Sequence, residues 1–170
     1  MYKSLFLFLA LFSCFPVYSQ DATEIRKLYV EGVKDEQKCK QLYDKLFSKN
    51  DISDPLILGY KGAVSMIMAK YTSSPMSKLN YFSAGKELVE KAVKLAPENT
   101  ELRFTRFTLQ ENLPSFLMYS SNLDEDKKHI LKHINSIEKI HLKQAIVTFL
   151  LKSKNCSTAE KATLEKEKAD

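Results

Sequence analysis

Two arginines and a glutamine share one flank of a segment in the second half of the chain. Arg103, Arg106 and Gln110 are spaced three and four residues apart, so a helix would place them on one side. Two neighbouring guanidinium groups can hold a carboxylate in fork geometry, which would suit an acidic segment of a protein partner. The alternative is internal, with an arginine paired to Glu101, Glu111 or an acid of the next helix.

Tyr60 and Tyr119 belong to an aromatic set that is larger than a plain stack of helices requires. Tyrosine and arginine dominate binding hot spots, so any of these rings that stay exposed would anchor a bound peptide. The alternative is that they fill the core, as aromatic side chains of helices usually do. The predicted partner-contacting set therefore comprises Arg103, Arg106, Gln110, Tyr60 and Tyr119.

A second candidate site contains histidine. Asp126, His129 and His133 stand at positions i, i+3 and i+7, so an unbroken helix would bring them within metal-ligand reach. No fourth ligand is identifiable, and the three positions border an apolar stripe of isoleucines. The simpler interpretation is that these residues have a structural role. The alternative is that the protein is a carrier of a metal or a small ligand.

The sequence does not predict an enzyme or a resident cofactor. The four glycines form no phosphate-binding loop, and no nucleophile elbow or Asp-His pairing is present. The net charge of +5 is spread among mixed lysines and glutamates, with no compact basic stripe. Nucleic acid is therefore not an expected partner.

The N-terminus predicts export. A lysine near the start precedes an apolar run over residues 5–12, which is too short to span a bilayer, and a break at Pro16 fits cleavage after Ser19. This leader resembles those of Bacteroidetes exported proteins, and the mature chain would be periplasmic or secreted without an integral span. In the alternative, Cys14 completes a lipobox and carries a lipid anchor.

The remaining cysteines are interpreted for an oxidising compartment. Cys39 and Cys156 could form one disulfide that joins the first and last helices. The alternative is two separate thiols that pack as small apolar residues. Neither cysteine lies in a C-x-x-C pair, so no thiol redox motif is predicted.

Prolines divide the mature chain into helices. Pro55, Pro75, Pro97 and Pro114 recur about every twenty residues, and apolar residues between them recur at three and four. The predicted helices cover residues 23–48, 55–71, 76–95, 100–113, 124–135 and 142–154, and a charged, fraying helix follows. The predicted organisation is a signal peptide at 1–19, a helical domain at 20–154 and a charged tail at 155–170. Residues 115–122 form a short aromatic segment expected to tuck under its neighbours.

Residues 84–99 resemble the second helix and exit turn of a tetratricopeptide repeat. Gly85, Val89, Ala92 and Pro97 stand where that repeat has its small, bulky, small and helix-breaking residues. The resemblance implies an all-α fold of antiparallel helical hairpins stacked as a short α-solenoid. The predicted function is a noncatalytic protein-binding or scaffold module of the bacterial envelope.

Overall fold

The protein is all-helical over the residues that the computed structural model describes, 18–48 and 52–169. This part of the chain contains no strand and forms eight α-helices and two short 3₁₀ helices, Ser115–Leu117 and Ile134–Ser136. The helices are α1 Tyr18–Gly32, α2 Glu36–Phe47, α3 Pro55–Tyr71, α4 Pro75–Leu95, α5 Thr100–Asn112, α6 Leu123–His133, α7 Ile140–Lys152 and α8 Thr158–Ala169. The prediction of an all-α fold is confirmed.

The single first helix predicted over residues 23–48 is wrong. The chain turns after Gly32, and Asp35 caps α2 by accepting a hydrogen bond from the backbone N–H of Lys38. A Cβ on Gly32 would lie 2.9 Å from the Cα of Cys39, so glycine lets the two helices approach closely. Gly32 ends α1 and Asp35 caps the start of α2. The chain therefore forms two helices here, although the apolar periodicity continues across the break.

The proline-marked starts of α3 and α4 are confirmed. Asp54 and Ser74 are the N-caps, and each accepts a hydrogen bond from a backbone N–H in the first turn, with proline at the next position. Proline fits there because its missing N–H would have no partner within the helix. Asn99 caps α5 in the same way, so side-chain acceptors fix three successive helix starts.

The hairpin of α3 and α4 is the most extensively packed helix pair. Gly62 and Gly85 face each other at the crossing, where a Cβ on Gly62 would lie 2.6 Å from the carbonyl oxygen of Gly85. Val89 and Ala92 are buried on the same side of α4. The two glycines therefore allow a close crossing of α3 and α4.

Apolar side chains form clusters on both sides of α5. The N-terminal helices bury Ile25, Leu42 and Val64 in one cluster, and the C-terminal helices gather around Phe107 of α5 in another. Leu164 of α8 belongs to the second cluster, and Ser157 and Glu160 form a capping box at the start of this helix. The last helix is thus docked on α7 rather than frayed.

The segment after α5 differs from its prediction. Tyr119 is buried, but Phe116 and Met118 are 79% and 85% exposed instead of tucked under neighbours. Met118 has φ 49, and it is the one non-glycine residue with positive φ among the described residues. Left-handed backbone is strained for a residue with a Cβ. This segment, residues 114–118, is called the apolar loop below.

Candidate functional site

A buried ion cluster joins α4, α5 and α6. Arg106 donates to Asp126 through two parallel hydrogen bonds, Nε to Oδ2 at 2.7 Å and Nη2 to Oδ1 at 2.8 Å. Its remaining nitrogen, Nη1, donates to Oε2 of Glu90 at 2.8 Å. Burial lowers the pKa of Arg106, but hydrogen bonds and charge attraction from Asp126 and Glu90 outweigh it, so the pKa is raised overall.

Arg103 completes the same cluster one helical turn earlier. Its Nη1 donates to Oδ1 of Asp126 at 3.0 Å and also to Glu125, while its Nε donates to the carbonyl oxygen of Pro97 at 2.7 Å. Asp126 is completely buried, so neither of its carboxylate oxygens meets solvent. Both oxygens instead accept hydrogen bonds from arginine. Hydrogen bonding to Arg103 lowers the pKa of the Glu125 carboxyl.

Tyr119 is anchored to this cluster. Its hydroxyl donates to Oε1 of Glu90 at 2.6 Å, and its ring meets Phe82 edge-on at a centroid distance of 6.1 Å. Burial, followed by the hydrogen bond and charge of Glu90, raises the pKa of Tyr119 well above its usual range. Tyr119 therefore holds the end of the apolar loop against the helical body.

A second ion cluster joins α5 to α1 and α3. The guanidinium of Arg26 donates twice to Glu101, at 2.5 and 2.8 Å, and the hydroxyl of Tyr60 donates to the same carboxylate at 2.7 Å. Burial and then the charge of Glu101 raise the pKa of Tyr60. Tyr29 packs edge-on against Tyr60, with the two ring centroids 5.2 Å apart.

The five residues predicted to face a partner are interior residues instead. Arg103, Arg106, Gln110, Tyr60 and Tyr119 are all buried, and the charged and phenolic groups bind acids of other helices. Their placement corrects the expected exposed flank. The internal alternative holds for both arginines, because Asp126 of the following helix is the acid that they share. The sequence predicts such an acid without identifying it as Asp126, which was considered there as an alternative metal ligand.

The predicted metal ligands are not brought together as a metal site. The carboxylate of Asp126 is occupied by arginines, and the rings of His129 and His133 lie beside each other with centroids 4.2 Å apart. The Nδ1 of His133 is 2.9 Å from the carbonyl oxygen of His129. Among residues 18–48 and 52–169, no group of three His, Cys, Asp or Glu side chains could hold a metal ion.

The predicted disulfide is absent. Cys39 and Cys156 are both free and buried, the first among the N-terminal helices and the second in the cluster around Phe107. Burial raises the pKa of the Cys39 thiol to about 11 and also raises that of Cys156. The two thiols pack as small apolar residues in separate clusters, which is the alternative weighed from the sequence. Cys14 and the leader up to residue 17 lie outside the described residues.

A pocket of about 200 Å³ lies beneath the apolar loop, between the end of α5 and the turn before α8. It is open on one side and is lined by Gln110, Glu111, Leu113, Pro114, Ser115, Tyr119, Ser120, Leu123, Lys154 and Asn155. Sequence analysis did not find this pocket. Residues 110–123 and residues 154–155 are far apart in the chain, and no motif links them.

The pocket gathers the polar atoms that the fold leaves without partners. Gln110 Oε1, Glu111 Oε2 and Asn155 Nδ2 are the buried side-chain atoms of the described residues that have no hydrogen-bond partner, and all three side chains line the pocket. Glu111 is held in place through its other oxygen, which accepts from Ser153 Oγ at 2.7 Å and from the backbone N–H of Lys154 at 3.0 Å. Buried polar atoms without partners cost free energy, so they commonly mark sites filled by water, ions or ligands.

No protein-family model, curated protein or solved structure matches the chain. None of the helices in residues 18–48 and 52–169 combines the length and the hydropathy needed to cross a bilayer.

Proposed function

We propose that the chain is an exported, noncatalytic binding module of the bacterial envelope that contacts a protein partner through the apolar loop. Its helical hairpins would form a short solenoid of the tetratricopeptide type. The observation that carries this proposal is the exposure of Phe116 and Met118, together with the left-handed backbone of Met118. Residues held in sparsely populated backbone conformations cluster at binding and switch sites, where the surrounding structure supports them.

The construction of the loop favours contact with a protein. Tyr119 fixes one end of the loop through Glu90, and Leu117 packs partly against the helices, so the two exposed side chains project from an anchored base. A pre-positioned apolar pair loses little conformational entropy on binding. Large apolar side chains presented together to water are typical of interaction sites.

The use of the charged side chains supports a noncatalytic role. Arg103 and Arg106 are buried and paired with acids of other helices, so they are not available to a substrate. The pair of Arg26 and Glu101 is likewise closed by Tyr60. These clusters hold the helices together, and the proposed partner contact is made by exposed side chains instead.

Site-specific photocrosslinking would test the proposed contact. A photoreactive phenylalanine analogue at position 116, in protein made by the native cells, is expected to give a discrete adduct with another envelope protein. The same analogue at Leu95, which is 57% exposed on α4, is the control and should give none. Identical adducts at both positions, or an adduct of two copies of this chain, would contradict a partner held by the loop.

Intact mass would test export independently. Cleavage after Ser19 gives a mature chain that begins at Gln20, whereas a lipoprotein begins at a lipidated Cys14. A full-length mass from the envelope fraction would contradict both forms of processing.

A further inference from the structure

We propose that the pocket beneath the apolar loop binds a small zwitterion of the α-amino-acid type. The pocket shares Pro114 and Ser115 with the apolar loop, but it is not lined by Phe116 and Met118, the two side chains proposed to contact a partner.

The acceptors define one end of the proposed ligand. Glu111 Oε2 and Gln110 Oε1 are buried oxygens without a donor, and they belong to neighbouring residues at the end of α5. The orientation of the Gln110 amide follows from its Nε2, which donates to Asn122 Oδ1 at 3.3 Å. An ammonium group offers three donors and a positive charge, which matches a carboxylate and an amide oxygen together.

The donors define the other end. Asn155 Nδ2 is a buried donor without an acceptor, and Lys154 lines the pocket beside it. Both follow α7 in a turn that is tied to Glu111 through Ser153 and the Lys154 backbone. An amide N–H and an ammonium group together suit a carboxylate of the ligand. A molecule that carries both charges would use both ends at once.

The size of the pocket limits the ligand. Its volume of about 200 Å³ is below the range of roughly 300–1,000 Å³ that holds drug-sized molecules. Leu113, Pro114 and Leu123 supply apolar lining beside the polar groups, which leaves room for a short side chain. Water is the competing occupant, since buried waters commonly pair such atoms.

Nuclear magnetic resonance titration of the full chain would test the proposal. Glycine, L-alanine and L-serine are the zwitterionic probes, while methylamine and acetate each carry one of the two charges. We expect saturable shifts of the Leu113, Tyr119 and Asn155 amide signals with the zwitterions. Binding of either single-charge probe should be weaker by about tenfold or more, because each loses one set of charge-assisted hydrogen bonds. The absence of saturable shifts with every zwitterion would assign the pocket to water and overturn the proposal.

Two variants locate the binding. Glu111→Gln keeps the shape and removes the charge, so it should weaken glycine binding by about tenfold. Glu87→Gln, on the exposed face of α4, is the matched control and should bind as the parent does. Undiminished binding by a folded Glu111→Gln would overturn the proposal. Should Glu111→Gln fail to fold, Ser120→Trp at the exposed rim should block the pocket, and retained binding there would overturn it equally.

A further variant separates the two proposals. Phe116→Ser should weaken the partner adduct formed by the photoreactive analogue placed at position 118, and it should leave glycine binding unchanged. Loss of glycine binding in this variant would contradict the separation of the pocket from the exposed Phe116 side chain.

Discussion

Arg106 and Asp126 meet as a two-pronged pair in the interior, with N···O distances of 2.7 and 2.8 Å and no solvent contact for the carboxylate. Arg103 shares Asp126 from the preceding turn of α5. Removing two charges from water is costly, and good geometry with further hydrogen bonds offsets that cost. Asp126 is therefore the fully buried acid that both guanidinium groups share, and its loss would disturb both arginines.

Asp126→Asn should destabilise the protein by about 3–5 kcal/mol, because it leaves the two buried arginines with only the partly exposed Glu90 and Glu125 as charged partners. The free energy of unfolding from urea denaturation measures the effect. Asp124→Asn is the matched control, since the Asp124 side chain is 84% exposed, and it should leave that free energy nearly unchanged. Equal effects of the two substitutions would mean that Asp126 is not the centre of a buried cluster.

Gly62→Ala should cost about 1–3 kcal/mol, because its new methyl group would meet the backbone carbonyl of Gly85, which cannot move without separating α3 from α4. Gly59→Ala should cost less, because its methyl group would meet the end of the Leu102 side chain, which can rotate away. Thermal denaturation of both variants, with Ser83→Ala on the exposed side of α4 as reference, checks this order. The reverse order would contradict the close crossing.

Met118→Gly should stabilise the protein by about 0.5–1 kcal/mol, because glycine adopts left-handed backbone without the strain that a Cβ brings. Met118→Ala retains the Cβ and should give no gain, and urea denaturation compares the two. The same Met118→Gly change should also weaken the partner adduct formed at position 116. Opposite effects on stability and binding would separate a binding role from a structural one. A stability gain in the alanine variant equal to that in the glycine variant would contradict the strain.

Stability should fall as the pH is lowered from 7.5 to 5.5, and His129 should account for part of that fall. Burial, followed by the positive charges of His133 and Arg103, lowers the pKa of His129 in the folded chain. The unfolded chain therefore takes up the proton first, at its ordinary pKa of about 6.5, and unfolding becomes more favourable.

His129→Gln should flatten this pH dependence, while His141→Gln at an exposed position should leave it intact. Urea denaturation at several pH values in this range is the measurement. The carboxyls of Glu125 and Glu160, whose pKa values are lowered, titrate below this window. An unchanged slope in His129→Gln would refute the assignment.

Cys39 and Cys156 should resist alkylation in the native protein at pH 8, since both thiols are buried and burial raises their pKa values. Denaturant without reductant should make both reactive towards iodoacetamide, as read by peptide mass spectrometry. A linked pair of peptides carrying the two cysteines would contradict the free thiols.

Local signals were sufficient to predict most of the helices. Pro55 and Pro75 mark the starts of α3 and α4 because the cap and the proline act within a few residues. The break between α1 and α2 was missed although Gly32 and Asp35 signal it, because the apolar periodicity continues across them. Caps and prolines therefore predict where a helix begins or ends better than the apolar periodicity does.

The candidate sites could not be predicted in the same way. Whether Arg106 faces a partner or an acid of its own chain depends on Asp126, twenty residues away on another helix. The pocket depends on Glu111 and Ser153, which are forty-two residues apart. These pairings arise from the packing of the helices, and the sequence carries no spacing rule for them.

The position of α5 limits how the molecule could be divided. The carboxylate of Glu101 pairs with Arg26 of α1. Five residues later, the guanidinium of Arg106 pairs with Asp126 of α6. A fragment that ends before or after this helix would leave one charged side chain without its partner. The protein should therefore unfold as one cooperative unit, and neither part should be stable alone.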